Sequence, residues 1–195
     1  MKQVVVIHGG TSFNSYESYL ESLKANELNY ERLMRADSWQ DWLPSTLPQA
    51  DVLQPSLPNK QNAQYHEWEI YFEKLLRLLG GDVSLVGYSL GAMFLAKYLH
   101  QKPLQTPVKQ LVLIAGSYND DSNEELGSFA VGSAEGLEKS AQQIHLIHSQ
   151  DDPVSPFSEL AKFQADLPTA TSHVFTDRNH FFQETFPELV EILWP

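Results

Sequence analysis

Five residues, Gly87-Tyr88-Ser89-Leu90-Gly91, constrain this chain more than any others. Before them runs Asp82-Val83-Ser84-Leu85-Val86, a short apolar and β-branched stretch with the character of a buried strand. After them runs Ala92 to His100, rich in helix formers and free of internal Gly or Pro. G-x-S-x-G therefore falls where a strand turns sharply into a helix. That context separates a nucleophile elbow from a chance match to a common pattern. A turn of this kind exposes the serine hydroxyl above the end of a sheet. Glycines on either side let strand and helix approach closely. A helix beginning at the serine also points its unpaired N–H groups at any oxyanion formed there. The bland alternative is a glycine-rich turn with an incidental serine.

The rest of the chain agrees with a sheet covered by helices. Apolar runs at Lys2–Ile7, Asp51–Leu53, Lys109–Ala115, Gln143–His148 and Thr171–Thr176 read as further strands. Between them lie helical patterns: Ser15 to Ala25, a short one from Ser38 stopped near Pro44, a long one over Asn59 to Leu79, Pro156 to Ala165, and Thr185 to Leu193. Strands alternating with helices imply a parallel sheet with both faces covered. We expect one domain over residues 1–195. It is a three-layer α/β/α sandwich on a doubly wound, mostly parallel sheet of about six strands. Gly116 to Ala141 lacks a strong period and is interrupted by Gly127, Gly132 and Gly136, so any cap is minimal.

Charge and composition exclude some classes. Against 25 acidic residues stand 13 basic ones, a net charge of −12 that repels nucleic acid and anionic lipid. Cysteine is absent, which removes disulfides and thiolate chemistry and suits a reducing cytoplasm. The apolar run at the N-terminus is too short for a signal-peptide core or a membrane span. His145-x-x-His148 suggests metal at first sight, but on a strand the two side chains face opposite sides of the sheet, and no metal site is expected.

A serine hydroxyl needs a base to take its proton, and the base needs a carboxylate to orient it. With an elbow of this type the chain order is Ser, then acid, then His, each on the loop after a strand. Here Ser149-Gln150-Asp151-Asp152-Pro153-Val154-Ser155-Pro156 follows one strand and Asp177-Arg178-Asn179-His180-Phe181-Phe182 follows the last. Both loops lie at C-terminal strand ends, where open α/β sheets build their sites. Asp152, directly before Pro153, is the expected acid. Its neighbour Asp151 reads as a turn former or helix cap. Asp120 and Asp121, one strand earlier, are the competitors, and Asp177 stands too close to His180 to reach its far nitrogen. His180 is the expected base, and the other six histidines lack its placement. For the oxyanion, the N–H of Leu90 should be one donor. The other should come from His8-Gly9-Gly10-Thr11 after the first strand, with Gly10 ahead of Thr11. Tyr88, Tyr118, Phe129, Phe181 and Phe182 are candidate pocket walls, with core packing as their ordinary alternative.

On these residues the chain resembles the α/β-hydrolase superfamily. In detail it is similar to the small serine-hydrolase family named for a retinoblastoma-binding protein. The carriers are Pro58-Asn59, Trp68, GYSLG at 87–91, DDPVSP at 151–156 and NHF at 179–181, spread over nearly the whole chain. The resemblance implies a Ser89–Asp152–His180 triad, a compact sheet of about six strands without a large lid, and esterase-like activity. It departs at Tyr88, where members with a human-type elbow have His. It does not imply retinoblastoma binding, since L-x-C-x-E is absent. The expected function is thus a cytoplasmic serine hydrolase acting on small acyl esters, without a cofactor. The alternative is a binding protein on the same scaffold with little turnover. The partner is a small acyl compound. No nucleic acid or membrane partner is expected, and the oligomeric state is left open.

Overall fold

A computed structural model describes residues 2–30, 34, 37–119 and 125–194. Six strands form one sheet: β1 (Lys2–Ile7), β2 (Ala50–Leu53), β3 (Val83–Tyr88), β4 (Val108–Ile114), β5 (Ala141–Ser149) and β6 (Thr171–Phe175). Their order is β2-β1-β3-β4-β5-β6 and every pairing is parallel. Among the described residues there are six α-helices: α1 (Tyr16–Ala25), α2 (Trp39–Thr46), α3 (Tyr65–Leu76), α4 (Leu90–Gln101), α5 (Ser158–Asp166) and α6 (Pro187–Leu193).

Strand alternation sorts the apolar residues into two cores. Val5, Ile7, Leu85, Leu111, Leu113, Ile144 and Leu146 face one side, where α3, α4 and α5 cover them through Trp68, Phe72, Phe94, Leu95, Leu160 and Phe163. Val4, Val6, Val86, Val112, Ile114 and Ile147 face the other side. There Trp39 and Leu43 of α2 and Leu189 and Leu193 of α6 complete the layer. The sheet is therefore doubly wound, and α4 after the elbow is almost wholly buried. No helix among the described residues is long and apolar enough to cross a membrane.

Two helix boundaries differ from the sequence reading. The long pattern from Asn59 becomes helical only at Tyr65. Asn59 sits at φ 51°, the Asn62 N–H donates back to the Asn59 carbonyl, and the Ala63 N–H donates to the Thr11 carbonyl. This segment is held as a turn against the loop after β1, and tertiary hydrogen bonds override its helical periodicity. Conversely, α2 continues through Pro44 to Thr46. Proline there removes the N–H that would bond the Gln40 carbonyl, and the Gln54 side-chain amide bonds that carbonyl instead. Gly116 to Ser140 holds short 3₁₀ turns at Gly127–Phe129 and Leu137–Lys139, and no α-helix among its described residues.

Close packing at the elbow has a testable cost. A Cβ on Gly91 would lie 2.2 Å from the Ile7 carbonyl oxygen, a backbone atom at the end of β1. Gly80 has nothing within 4 Å of the same atom. Gly91→Ala should lower the urea midpoint, at a cost of about 1–3 kcal/mol or more. Gly80→Ala should change it little. Equal midpoints for the two variants would contradict the packing described.

Candidate active site

The strand order reverses between β1 and β3, since β2 lies on one side of β1 and all later strands on the other. Crevices at such switch points lie outside the carboxyl ends of the strands. Register pairs Ile7 with Gly87, so the turn His8–Thr11 lies beside Tyr88 and Ser89. Ser89 has φ 54° and ψ −121°, and it precedes the first turn of α4. Backbone in this region costs a non-glycine residue about 1–3 kcal/mol and persists only where surroundings enforce it. Enforcement comes from the Ser89 N–H, which donates to the Ile114 carbonyl at 2.8 Å, and from the close approach at Gly87 and Gly91.

From this elbow a hydrogen-bonded chain runs inward. Ser89 Oγ lies 2.8 Å from His180 Nε2, and His180 Nδ1 lies 2.8 and 3.0 Å from the two carboxylate oxygens of Asp152. With Asp152 accepting, Nδ1 carries the proton and Nε2 is left to accept from the serine hydroxyl. Asp152 and His180 are both buried. Asp152 Oδ1 also accepts the N–H groups of Val154 (2.8 Å) and Ser155 (2.9 Å), which fixes the carboxylate. The Ser155 carbonyl is bonded by buried His148, and the Ser155 hydroxyl accepts from Ser117 on the loop after β4.

The second aspartate has a different task. Asp151 Oδ1 accepts the Ser149 hydroxyl and the Asn179 N–H (2.9 Å), while Ser149 Oγ accepts the Arg178 N–H (3.0 Å). These bonds, led by that from Ser149, hold the Asp151 carboxyl below its ordinary pKa. Together they clamp the two residues that precede His180. On the far side the Tyr88 hydroxyl donates to the His180 carbonyl at 2.7 Å. Burial, with Asp152 nearby, pushes the Tyr88 phenol up, so it remains a donor. Asp177 is highly exposed and approaches Arg178 rather than His180. Asp120 and Asp121 lie outside the described residues.

Two backbone donors border the serine. The Leu90 N–H is the first of α4 and has no partner within it. The Gly10 N–H has no acceptor among the described residues, whereas that of Thr11 is taken by the Lys60 carbonyl at 2.9 Å. His8 holds this turn: its Nε2 accepts the Leu57 N–H at 2.9 Å, and Nδ1 donates to the Gly9 carbonyl. Trp68 packs edge-on against the His8 ring and donates to the Pro58 carbonyl. Nothing local in the sequence marks this role of His8, because Leu57 and Trp68 lie about fifty to sixty residues away.

Of the expected pocket walls, Tyr88 and Phe182 line the cleft, and the Phe182 ring is 65% exposed and 5.5 Å from that of His180. The other three are corrected. Phe129 is fully buried against Trp68 and Tyr65. Phe181 lies in the opposite core, stacked on Phe186, because φ 55° turns it inward while its neighbour faces out. Tyr118 packs on Phe163 and its hydroxyl bonds Asp166, which, after burial, pushes that phenol up to about 12. Sequence reading missed Gln40, Lys60, Gln61 and Val154 in the cleft, and Met93 and Leu126 beside it.

His145 and His148 do face opposite sides: His145 bonds His173, and His148 bonds the Ser155 carbonyl. Among the described residues no three His, Asp or Glu side chains converge as metal ligands.

Comparison with known proteins agrees with this architecture. The profile of the serine hydrolase family matches residues 33–184, and the chain belongs to that family. It is 27% identical over 164 residues to the serine hydrolase RBBP9 of Rattus norvegicus, covering 80% of this chain and 84% of that one. Its fold is similar to that of the ydeN gene product of B. subtilis, with a TM-score of 0.77, 21% identity, and 99% and 97% of the two chains covered. A putative yden-like hydrolase from Pectobacterium atrosepticum superimposes with a TM-score of 0.62 at 14% identity, covering 98% and 89%. The fold is that of the α/β hydrolases.

The two aspartates should separate in mutants. Asp152→Asn removes the acceptor that sets the His180 tautomer and should slow fluorophosphonate labelling of Ser89 about 10⁴-fold. Asp151→Ala loosens the clamp on the His180 loop and should slow labelling by about 10- to 100-fold. A larger loss for Asp151→Ala would reverse the assignment.

Proposed function

We propose that this protein is a cytoplasmic esterase that cleaves small acyl esters through an acyl-enzyme on Ser89. The observation that carries this reading is the Asp152–His180–Ser89 chain with 2.8 Å links, set beside two N–H groups that have no partner among the described residues. Ser89 Oγ attacks the acyl carbon as His180 Nε2 takes its proton. The N–H groups of Gly10 and Leu90 hold the oxyanion of the tetrahedral intermediate. Collapse expels the alcohol, which leaves with the proton from His180. Water, deprotonated by His180, then attacks the acyl carbon, releasing the acid and restoring Ser89. Asp152 orients the imidazole and stabilises its cation. No step calls for a cofactor.

Ser89 borders a narrow slot of about 20 Å³ among Leu90, Met93, Ala115, Leu126 and Val154. It opens on its other side to a cleft of about 390 Å³. A slot of this size supports short acyl groups. Each buried methylene is worth about 0.8 kcal/mol while room lasts, so chain length should register in kcat/KM.

Ser89→Ala should remove ester hydrolysis, on the order of 10⁶-fold in turnover, and abolish fluorophosphonate labelling with the fold intact. Hydrolysis near the wild-type rate in that variant would refute the nucleophile. A wild-type protein that neither labels nor turns over would instead be a binding protein on a hydrolase scaffold. Across 4-nitrophenyl esters of graded length, kcat/KM should peak at short acyl chains and fall for long ones. A continuous rise through long-chain esters would contradict the slot.

A further inference from the structure

The two sides of Ser89 differ in chemistry as well as size. On the slot side the charged residue is Glu125, whose Oε2 accepts the Asn14 N–H and the Ser18 hydroxyl. On the cleft side it is Lys60, which lines the cleft together with Gln40, Gln61, Tyr88 and Phe182. We infer that the alcohol part of the substrate carries a carboxylate, which Lys60 recognises in this cleft. The inference rests on the esterase reading above, with the acyl group in the slot.

Lys60 is not a lysine on a loose loop. Its carbonyl accepts the Thr11 N–H, the Thr11 hydroxyl donates to the Gln61 carbonyl, and Asn59 to Asn62 closes a hydrogen-bonded turn. Its backbone is thereby fixed against the turn that holds Gly10, so a Cβ on Gly10 would lie 2.6 Å from the Lys60 carbonyl oxygen. The side chain has no ion-pair partner among the described residues, whereas Lys102, Lys162 and Arg178 each lie against a glutamate. Burial lowers the His8 pKa, the bond to the Gly9 carbonyl opposes this, and the Lys60 cation adds a smaller lowering. In a chain with 25 acidic and 13 basic residues, a lysine left without an acid at this point is available to an anion brought by the substrate. The acid of the site itself, Asp152, is already taken by His180 and two backbone N–H groups. One lysine supplies one positive charge, which matches a carboxylate better than a doubly charged phosphate. The amides of Gln40 and Gln61 add neutral donors. Tyr88 and Phe182 offer aromatic surface for the body of the alcohol.

The test compares two acetyl esters that differ only in charge, those of 3-hydroxybenzoate and 3-hydroxybenzamide. A solvent-exposed pair contributes up to about 1 kcal/mol, so the wild-type kcat/KM ratio should favour the carboxylate by about three- to fivefold at low salt. The preference should shrink as salt rises. Lys60→Gln should bring the ratio to about one, and Lys60→Glu should invert it, with thermal unfolding verifying that each variant is folded. A wild-type ratio near one, or a ratio that Lys60→Gln leaves intact, would overturn the inference while leaving the esterase reading in place. Absence of turnover on both esters together with absence of Ser89 labelling would overturn the esterase reading and this inference with it.

Discussion

The structure depends on one close approach, that of the first turn of α4 to the end of β1. Gly91 lies so near the Ile7 and His8 carbonyls that no side chain fits between them. That approach brings the N-terminus of α4, whose Leu90 N–H has no partner among the described residues, beside the turn that bears Gly10. It also forces the chain to reverse within one residue, and that residue is Ser89 at φ 54°. The strain is local, while its support is spread over β1, β3 and β4 through the Ser89 N–H to the Ile114 carbonyl and the buried α4. A strained serine persists here because the core around it is this well covered.

His180 comes from a loop with no regular structure, and it is held by bonds rather than by an element. Three sets converge on it: the Asp152 carboxylate at Nδ1, the Tyr88 hydroxyl at its carbonyl, and the Ser149–Asp151 pair at the two preceding N–H groups. Two adjacent aspartates can serve these different ends because the chain turns sharply after β5. Asp152 is drawn inward over the Val154 and Ser155 N–H groups, and Asp151 stays at the surface facing the Arg178–Asn179 backbone. Tyr88 stands within the G-x-S-x-G motif yet acts on the histidine loop, so the elbow positions His180 as well as Ser89.

The sheet was legible because every strand is a short apolar run whose alternate residues enter different cores, as Val4 and Val5 do. The Ser, Asp and His positions were legible for a related reason. Each stands at a fixed offset from a strand end, and parallel pairing brings the strand ends together. Aromatic direction was not legible. Phe181 and Phe182 are neighbours on a loop, where no period distinguishes inside from outside, and a left-handed φ at Phe181 decides the matter. Phe129 and Tyr118 likewise take their places from partners distant in sequence, Trp68 and Phe163. The start of α3 was misread because bonds between Ala63, Thr11 and Lys60 cannot be inferred from spacing.

This contrast separates chemistry from specificity in physical terms. Ser89 stands just before a helix, and Asp152 and His180 stand in loops that follow strands, so a sequence pattern locates all three and hydrogen bonds hold them together. The cleft beside Ser89 is built in part from α2, the 59–63 turn and the histidine loop, which touch only in the folded state. Its side chains rest on backbone already fixed by bonds such as Thr11 N–H to the Lys60 carbonyl, so they can change without moving Gly10. Lys60 is the clearest instance: its carbonyl accepts the Thr11 N–H beside Gly10, and the residue also lines the cleft. A substitution there alters the charge at the cleft and keeps the backbone support beneath Gly10.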